Sequence, residues 1–547
     1  MYKDTNKTIH AHVDAKALDK VTRFFNATVS DILNELLQNA RRANATAVHI
    51  TTDVSGDTPT MTIADNGDGI HNPQQLLSLG CSGWERGVQC REDPAGMGLF
   101  SLANRGALIE SKDWKVALHP DHFSGKVGAQ LHSTTSIQGT RITFPLLEQE
   151  QGLSTLSDLI EAASYYYPLP VTLNERQLEQ GDFLTKAVYV EEWNGIRIGV
   201  IPSHYNRVGY QSINFHGLLI PQSLPKIMHF DCFQSSNCEW RIRLDIVNCP
   251  NLKLVLPARK ELVQDSFFHS LVKECQRVMF RYIKTLNSHT LNFKQWSEAR
   301  TLGIDLPEAV SELHIFRPRT HDESLSDTTI ESVSTDSVLL TVFNDEDTVT
   351  EHCFQQAIEQ KDSPLHTLKL FQQYGRYEGY RWYDRLKRIT SINFTPSAED
   401  TSGYADALVD RIDMDISIEQ QGAKPVNVTS KTPIWIESEF YCDWWDTRIW
   451  LAKEHGFTPE SLIDFLECSG FHPSEDWNAD SYETQREMFL TNATERAFSL
   501  LVSKEAALRE RIIQTASEHL RWSMPTHSVA LIRVSNDSVT VKLCHKS

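Results

Sequence analysis

The chain has 547 residues, 40% of them hydrophobic and 23% charged, with a formal net charge of −19. That length exceeds one hydrophobic core and predicts several domains, while no apolar run is long enough to span a bilayer. The acidic balance argues against a surface that coats nucleic acid throughout, although it leaves a local basic patch open.

The amino terminus carries no apolar core of the secretory type, so a cytoplasmic protein is expected. Ten cysteines form no C-x-x-C pair, which argues for reduced thiols and against a zinc module or a disulfide framework.

The first strong pattern in chain order is DILNELLQNARRA, residues 31–43. Ile32, Leu36, Leu37, Ala40 and Ala43 recur at helical spacing, and Thr28 with Asp31 gives a T-x-x-D capping signature. Glu35 and Asn39 lie one turn apart on a single face, a placement that suits holding a metal ion and orienting a water. AVHITTD and TMTIAD then read as alternating strands, and the second runs into DNGDGI. There Gly67 and Gly69 let backbone approach a ligand, and Asp65 at the strand end can accept a hydrogen bond from an exocyclic amine. Residues 71–95 read as a lid or binding loop. They close on AGMGLFSL, where Gly96 and Gly98 precede an expected helix start whose amides suit phosphate. GTRITF, opened by Gly139 and Thr140, reads as a further strand.

Together ELLQNA, DNGDG, GMGL and GTRITF, in this order and spacing over residues 1–150, resemble the boxes of the GHKL ATPase superfamily. That superfamily takes in type II topoisomerase ATPase subunits, ninety-kilodalton heat-shock chaperones, MutL and histidine kinases. The resemblance implies an α/β (α+β) fold that opens with the two-layer Bergerat ATP-binding sandwich. It also implies that Asn39 coordinates Mg²⁺ on the phosphates and that Asp65 binds the adenine amine. Gly67 and Gly69 would make room for the base, Gly96, Met97, Gly98 and Leu99 would wrap the phosphates, and Thr140 would support the adenine site. Glu35 would be the general base. Phosphoryl transfer asks for this kind of positioning and charge neutralisation more than for covalent chemistry.

Residues 151–287 read as a helix, then strands (KAVYVEEW, GIRIGVI, INFHGLLI, EWRIRLDIV), then a helix over about 265–284. By position this segment is similar to the transducer domain of MutL and gyrase-type proteins. In the loop LVLPARKELVQD the resemblance places Arg259, beside Lys260, where those proteins send a lysine to the γ-phosphate; an arginine departs from that pattern but suits phosphate.

Residues 288–547 match no family pattern. Within them 317–337 reads as a linker or exposed loop, and 371–388 interleaves tyrosine and tryptophan with arginine. That interleaving serves either base stacking or a packed surface. One long helix is expected over 482–522, followed by a β-hairpin. No D-Q-H-A-x-x-E cluster, no acidic strand-cleavage domain and no phosphoacceptor-histidine helix is present.

The expected function is therefore an ATP- and Mg²⁺-dependent hydrolase that acts as a switch through lid closure and an ATP-dependent homodimer, with an unidentified protein client and no membrane. The alternatives are a nucleotide-gated scaffold that scarcely hydrolyses ATP, and a nucleic-acid clamp comparable to MutL or MORC ATPases, for example in a bacterial defence system.

Overall fold

The computed structural model describes the chain except residues 1–27, 54–57, 79–83, 85–97, 148–149, 151–152, 205–210, 231–236, 256–260, 321–328, 334–337, 342, 344–347, 399–404, 438–446, 474–480, 521–528, 536–537 and 545–547. Of the expected site, Gly96, Met97, Arg259 and Lys260 lie outside the described residues, as does most of the 71–95 loop. The fold is mixed α/β. By contact the chain divides into two compact units, 1–291 with 295–307, and 292–294 with 308–547.

The first sheet of the first unit is built on helix α1 (Val29–Arg42). Thr28 accepts the Asp31 N–H through its hydroxyl while Asp31 accepts the Thr28 N–H, the reciprocal cap that its sequence announces. Strands β1 (Val48–Asp53), β2 (Thr60–Asp65), β3 (Ala107–Leu118), β4 (Leu131–Pro145), β5 (Val171–Leu173) and β6 (Arg176–Gln177) form one sheet in the order β3-β4-β2-β1-β5-β6. Alternation sets its faces: Val48 and Ile50 are buried and His49 and Thr51 exposed. The buried face packs against Ile32, Leu33, Leu36 and Leu37 of α1 and Leu156 and Ile160 of α2 (Leu153–Tyr165).

This sheet runs past residue 150, where a domain boundary was expected. β5 pairs with β1 in parallel, a pairing that needs a crossover, and α2 lies in the connection that leads into β5.

The second sheet takes β7 (Tyr189–Trp193), β8 (Ile196–His204), β9 (Ile213–Phe215), β10 (Leu218–Ile220), β11 (Lys226–Phe230) and β12 (Asn237–Ile246) in the order β10-β9-β12-β8-β7, with β11 also on β12. Helix α3 (Ser266–Thr285) packs on it, its Tyr282 ring 5.2 Å from Trp240 and 5.8 Å from Tyr189. Between β12 and α3, Val255 donates to Glu261 at 2.9 Å and Val263 to Lys253 at 2.9 Å, pinching the base of the loop that carries Arg259 and Lys260.

In the second unit, β13 (Glu312–His314) pairs with β14 (Ile330–Ser332), so part of the expected linker is strand. β15 (Val338–Thr341), β16 (Lys369–Gln372), β17 (Lys387–Pro396), β19 (Ile412–Glu419) and β20 (Val426–Lys431) form one sheet, and β18 (Ala407–Val409), β21 (Ile434–Glu437) and β22 (Arg448–Ala452) another. Helices α4 (Thr348–Ile358) and α5 (Pro459–Gly470) pack with them. The expected long helix is two, α6 (Tyr482–Leu501) and α7 (Lys504–Leu520), because Ser503 starts a new one by accepting the Ala506 N–H at 3.1 Å. β23 (Val529–Ser535) and β24 (Ser538–Cys544) pair antiparallel, as their alternation predicts.

Ile32 is fully buried at the centre of the first core. Ile32→Ala is expected to destabilise this unit by roughly 2–5 kcal/mol in denaturant unfolding, the cost of an unfilled core cavity.

Candidate functional site

Burying the apolar side of α1 fixes the rotation of its polar side. Glu35 and Asn39 share that side with Arg42, whose guanidinium donates to Asn39 Oδ1 at 3.3 Å and stands 3.9 Å from Glu35 Oε1. The Arg42 side chain is 4% exposed and that of Glu35 13%, so this pair is shielded well beyond a surface ion pair. Its spacing, three residues after Asn39 and seven after Glu35, was available as a signal; what hid it is that a second arginine in a helix's last turn ordinarily just complements the dipole.

Where a helix start was expected, the described residues Gly98–Leu102 form 3₁₀ helix, and Gly106 closes the segment by donating to Leu102 at 2.9 Å. The turn lies against α1 so closely that a methyl group at position 98 would collide with the Glu35 carboxylate. Phe100, Ser101 and Leu102 are buried there, and Leu99 packs at the edge of the core.

The other half of the site hangs on the β2–β4 register, which pairs Asp65 with Thr140. Asp65 accepts the Gly67 N–H at 2.9 Å, turning the chain at once. Gly67 then lies against the last residue of the same helical face: a methyl there would collide with the Ala43 carbonyl, which accepts the Asp68 N–H at 2.8 Å. Ala43 in turn donates to the Asn39 carbonyl at 2.9 Å. The glycine loop is thus seated one helical turn beyond Asn39. Gly139, at φ +74, would collide with the Asp65 carbonyl if it carried a side chain.

Ser111 on β3 escaped the sequence reading. It is fully buried, donates to the Gly139 carbonyl at 2.8 Å, accepts the Ile70 N–H at 2.9 Å and lies 3.4 Å from the Thr140 hydroxyl. A serine in a strand carries no local signal for such a role.

Burial raises the pKa of Asp65 above the ordinary carboxylate value; hydrogen bonds from the Gly67 and Thr140 backbones work the other way, and the neighbouring Asp68 adds to the rise. A desolvated carboxylate at a strand end is a strong acceptor for an amine. Thr140, 8% exposed, backs it from β4.

Among the described residues, no group of three or more His, Cys, Asp or Glu is arranged to hold a metal ion. Asn39 offers one side-chain oxygen, which accepts from the Arg42 guanidinium here; a Mg²⁺ held by it would displace that donor and take its other ligands from phosphate and water oxygens, the usual manner of that ion. The Gly98 backbone lies directly against the Glu35 side chain, which fills the space a Cβ would take.

The aromatic–arginine segment resolves towards packing. Tyr377, Tyr380 and Tyr383 are buried against one another, and a buried ring cannot stack on a base. Arg388 reaches over Tyr383 at 5.6 Å, and Arg381 pairs with Glu308 at 3.3 Å.

No family model and no curated protein matches the chain. Among solved structures, the chain is similar to the N-terminal domain of a DNA repair protein, at 13% identity over 38% of this chain and 80% of that one, with a TM-score of 0.25. The likeness is too slight to bear on fold or function. No helix among the described residues is long and apolar enough to cross a membrane.

Because burial raises the folded pKa of Asp65, its ionisation costs the fold at neutral pH; that cost shrinks as the pH falls below the raised value and is gone only below the ordinary carboxylate pKa of the unfolded chain. Asp65→Asn is therefore expected to melt higher than wild type at pH 7. The advantage should close as the pH is lowered through the Asp65 titration, as followed by thermal unfolding across pH.

Proposed function

We propose that the chain is an ATP-binding and ATP-hydrolysing switch of the GHKL type, with the nucleotide held in its first unit. The observation that carries this reading is the joint placement of two half-sites on one helix: the Gly98 turn against Glu35, and the Asp65–Gly67 turn against Ala43, with Asn39 between them along α1. On this reading the first sheet and its helices are the two-layer Bergerat sandwich, and the second sheet with α3 is the transducer.

The roles follow from residue chemistry. Asp65 accepts the adenine amine, with Gly67, Gly69 and Thr140 giving the base room and support. Gly96, Met97, Gly98 and Leu99 wrap the phosphates. Asn39 holds Mg²⁺, which supplies neutralisation of phosphate charge. Glu35 orients the attacking water and takes its proton; the buried Arg42 beside it adds positive charge where the phosphates lie and holds Glu35 in place. Arg259 or Lys260 would contact the γ-phosphate. ATP closes the 71–95 lid and favours a homodimer, hydrolysis resets it, and turnover is slow because a conformational step limits it.

The test is phosphate release from Mg–ATP by the purified chain. Glu35→Ala should lower turnover by about a hundredfold or more, the scale of a lost general base, while ATP affinity stays within about threefold. Asn39→Ala should also weaken Mg²⁺-dependent binding. Full turnover in Glu35→Ala would remove it as the base.

A further inference from the structure

Of the three buried residues between Glu35 and Asn39, two, Leu37 and Gln38, are each tied by a hydrogen bond to chain far downstream. The Gln38 side-chain amide donates to the His216 carbonyl at 2.8 Å, and the Tyr167 hydroxyl donates to the Leu37 carbonyl at 2.6 Å. All three polar partners are shielded: Gln38 is 5% exposed, Tyr167 2% and His216 8%.

His216 is no casual acceptor. It forms the turn between β9 and β10 with Gly217 and takes φ +54, so that both central residues of this two-residue hairpin turn have the positive φ such turns require. Gly217 follows at φ +97, where a methyl group would come within 3.0 Å of Tyr167 Cα. Asn214 fixes the turn by accepting the Gly217 N–H at 2.8 Å, and donates on to Asp245 of β12 at 2.8 Å. Asp245 pairs with Arg197 of β8 at 3.0 Å. One buried hydrogen bond, from Gln38, therefore joins α1 to the edge hairpin of the second sheet, and a second ties α1 to Tyr167, on which Gly217 packs.

We infer that Gln38 and Tyr167 are positioning residues for the nucleotide site, and that the His216–Gly217 turn is the contact through which the second sheet and α1 set each other's geometry. The inference rests on the ATPase reading above. A helix hydrogen-bonded at this turn to the hairpin moves Glu35 and Asn39 together with it, so nucleotide at α1 and the state of the second sheet bias one another reciprocally.

Gln38→Met keeps the length of the side chain and leaves the His216 carbonyl without its donor; Tyr167→Phe keeps the ring and drops only the hydroxyl. In the full chain, each is expected to lower ATP turnover about tenfold, the rate equivalent of one buried hydrogen bond, with ATP affinity within about twofold of wild type. That split separates positioning from misfolding, since a variant that fails to fold loses binding as well. Hydrogen exchange adds a second reading: ATP should alter amide protection over residues 213–220 in wild type and not in Gln38→Met. Wild-type turnover in both variants, with the exchange response intact, would overturn the inference and leave the ATPase reading standing. A wild type that neither binds nor hydrolyses ATP would remove that reading first, and this one with it.

Discussion

The rotation of α1 is the constraint on which the rest of the first unit depends. Ile32, Leu33, Leu36 and Leu37 are almost wholly withdrawn from water against the sheet, and turning the helix by one residue would trade that burial for the exposure of its charges. With each such side chain contributing about 1.5–3 kcal/mol by burial, the rotation has no close competitor. Glu35, Asn39 and Arg42 then point where they do because there is no other side left. The polar face is a consequence of the apolar one.

Two close backbone approaches use that fixed face. The Gly98 turn lies against the Glu35 side chain at mid-helix, and the Gly67 turn lies against the Ala43 backbone at the carboxyl-terminal end, a distance that glycine permits. Asp65 belongs to the second approach through strand register: pairing β2 with β4 sets it opposite Thr140, and a slip of one residue would turn both side chains to the other face. Ser111 and Gly139 hold the corner where three strands and the loop meet. Glu35 and Arg42 form a shielded pair at the other end. Burial makes the charge of Asp65 costly to the fold, the usual mark of a residue kept for chemistry.

Much of this was legible in the chain because it is written locally. The cap at Thr28, the period of α1, the alternation of β1, β2, β4 and the final hairpin, and the glycines after strand ends all depend on neighbours a few residues away. What the sequence hid depends on distant partners. Nothing in residues 151–170 announces that β5 will pair with β1, nor that Tyr167 and His216 will reach α1. Ser111 is an unremarked strand serine until Gly139 lies beside it. The tyrosines of 371–388 have one composition whether they stack on bases or on each other, and only burial decides. Arg42 was readable by spacing, yet a basic residue in the last helical turn has an ordinary explanation that masked it.

The central claim is that one nucleotide site spans α1 and the end of β2, and calorimetric titration of the full chain with Mg–ATP tests it most directly. The account predicts one ATP bound per chain, and an affinity loss of about tenfold or more in Asp65→Ala, as expected when a buried charge-assisted hydrogen bond is removed. No binding by the wild type, or an unchanged affinity in Asp65→Ala, would contradict it.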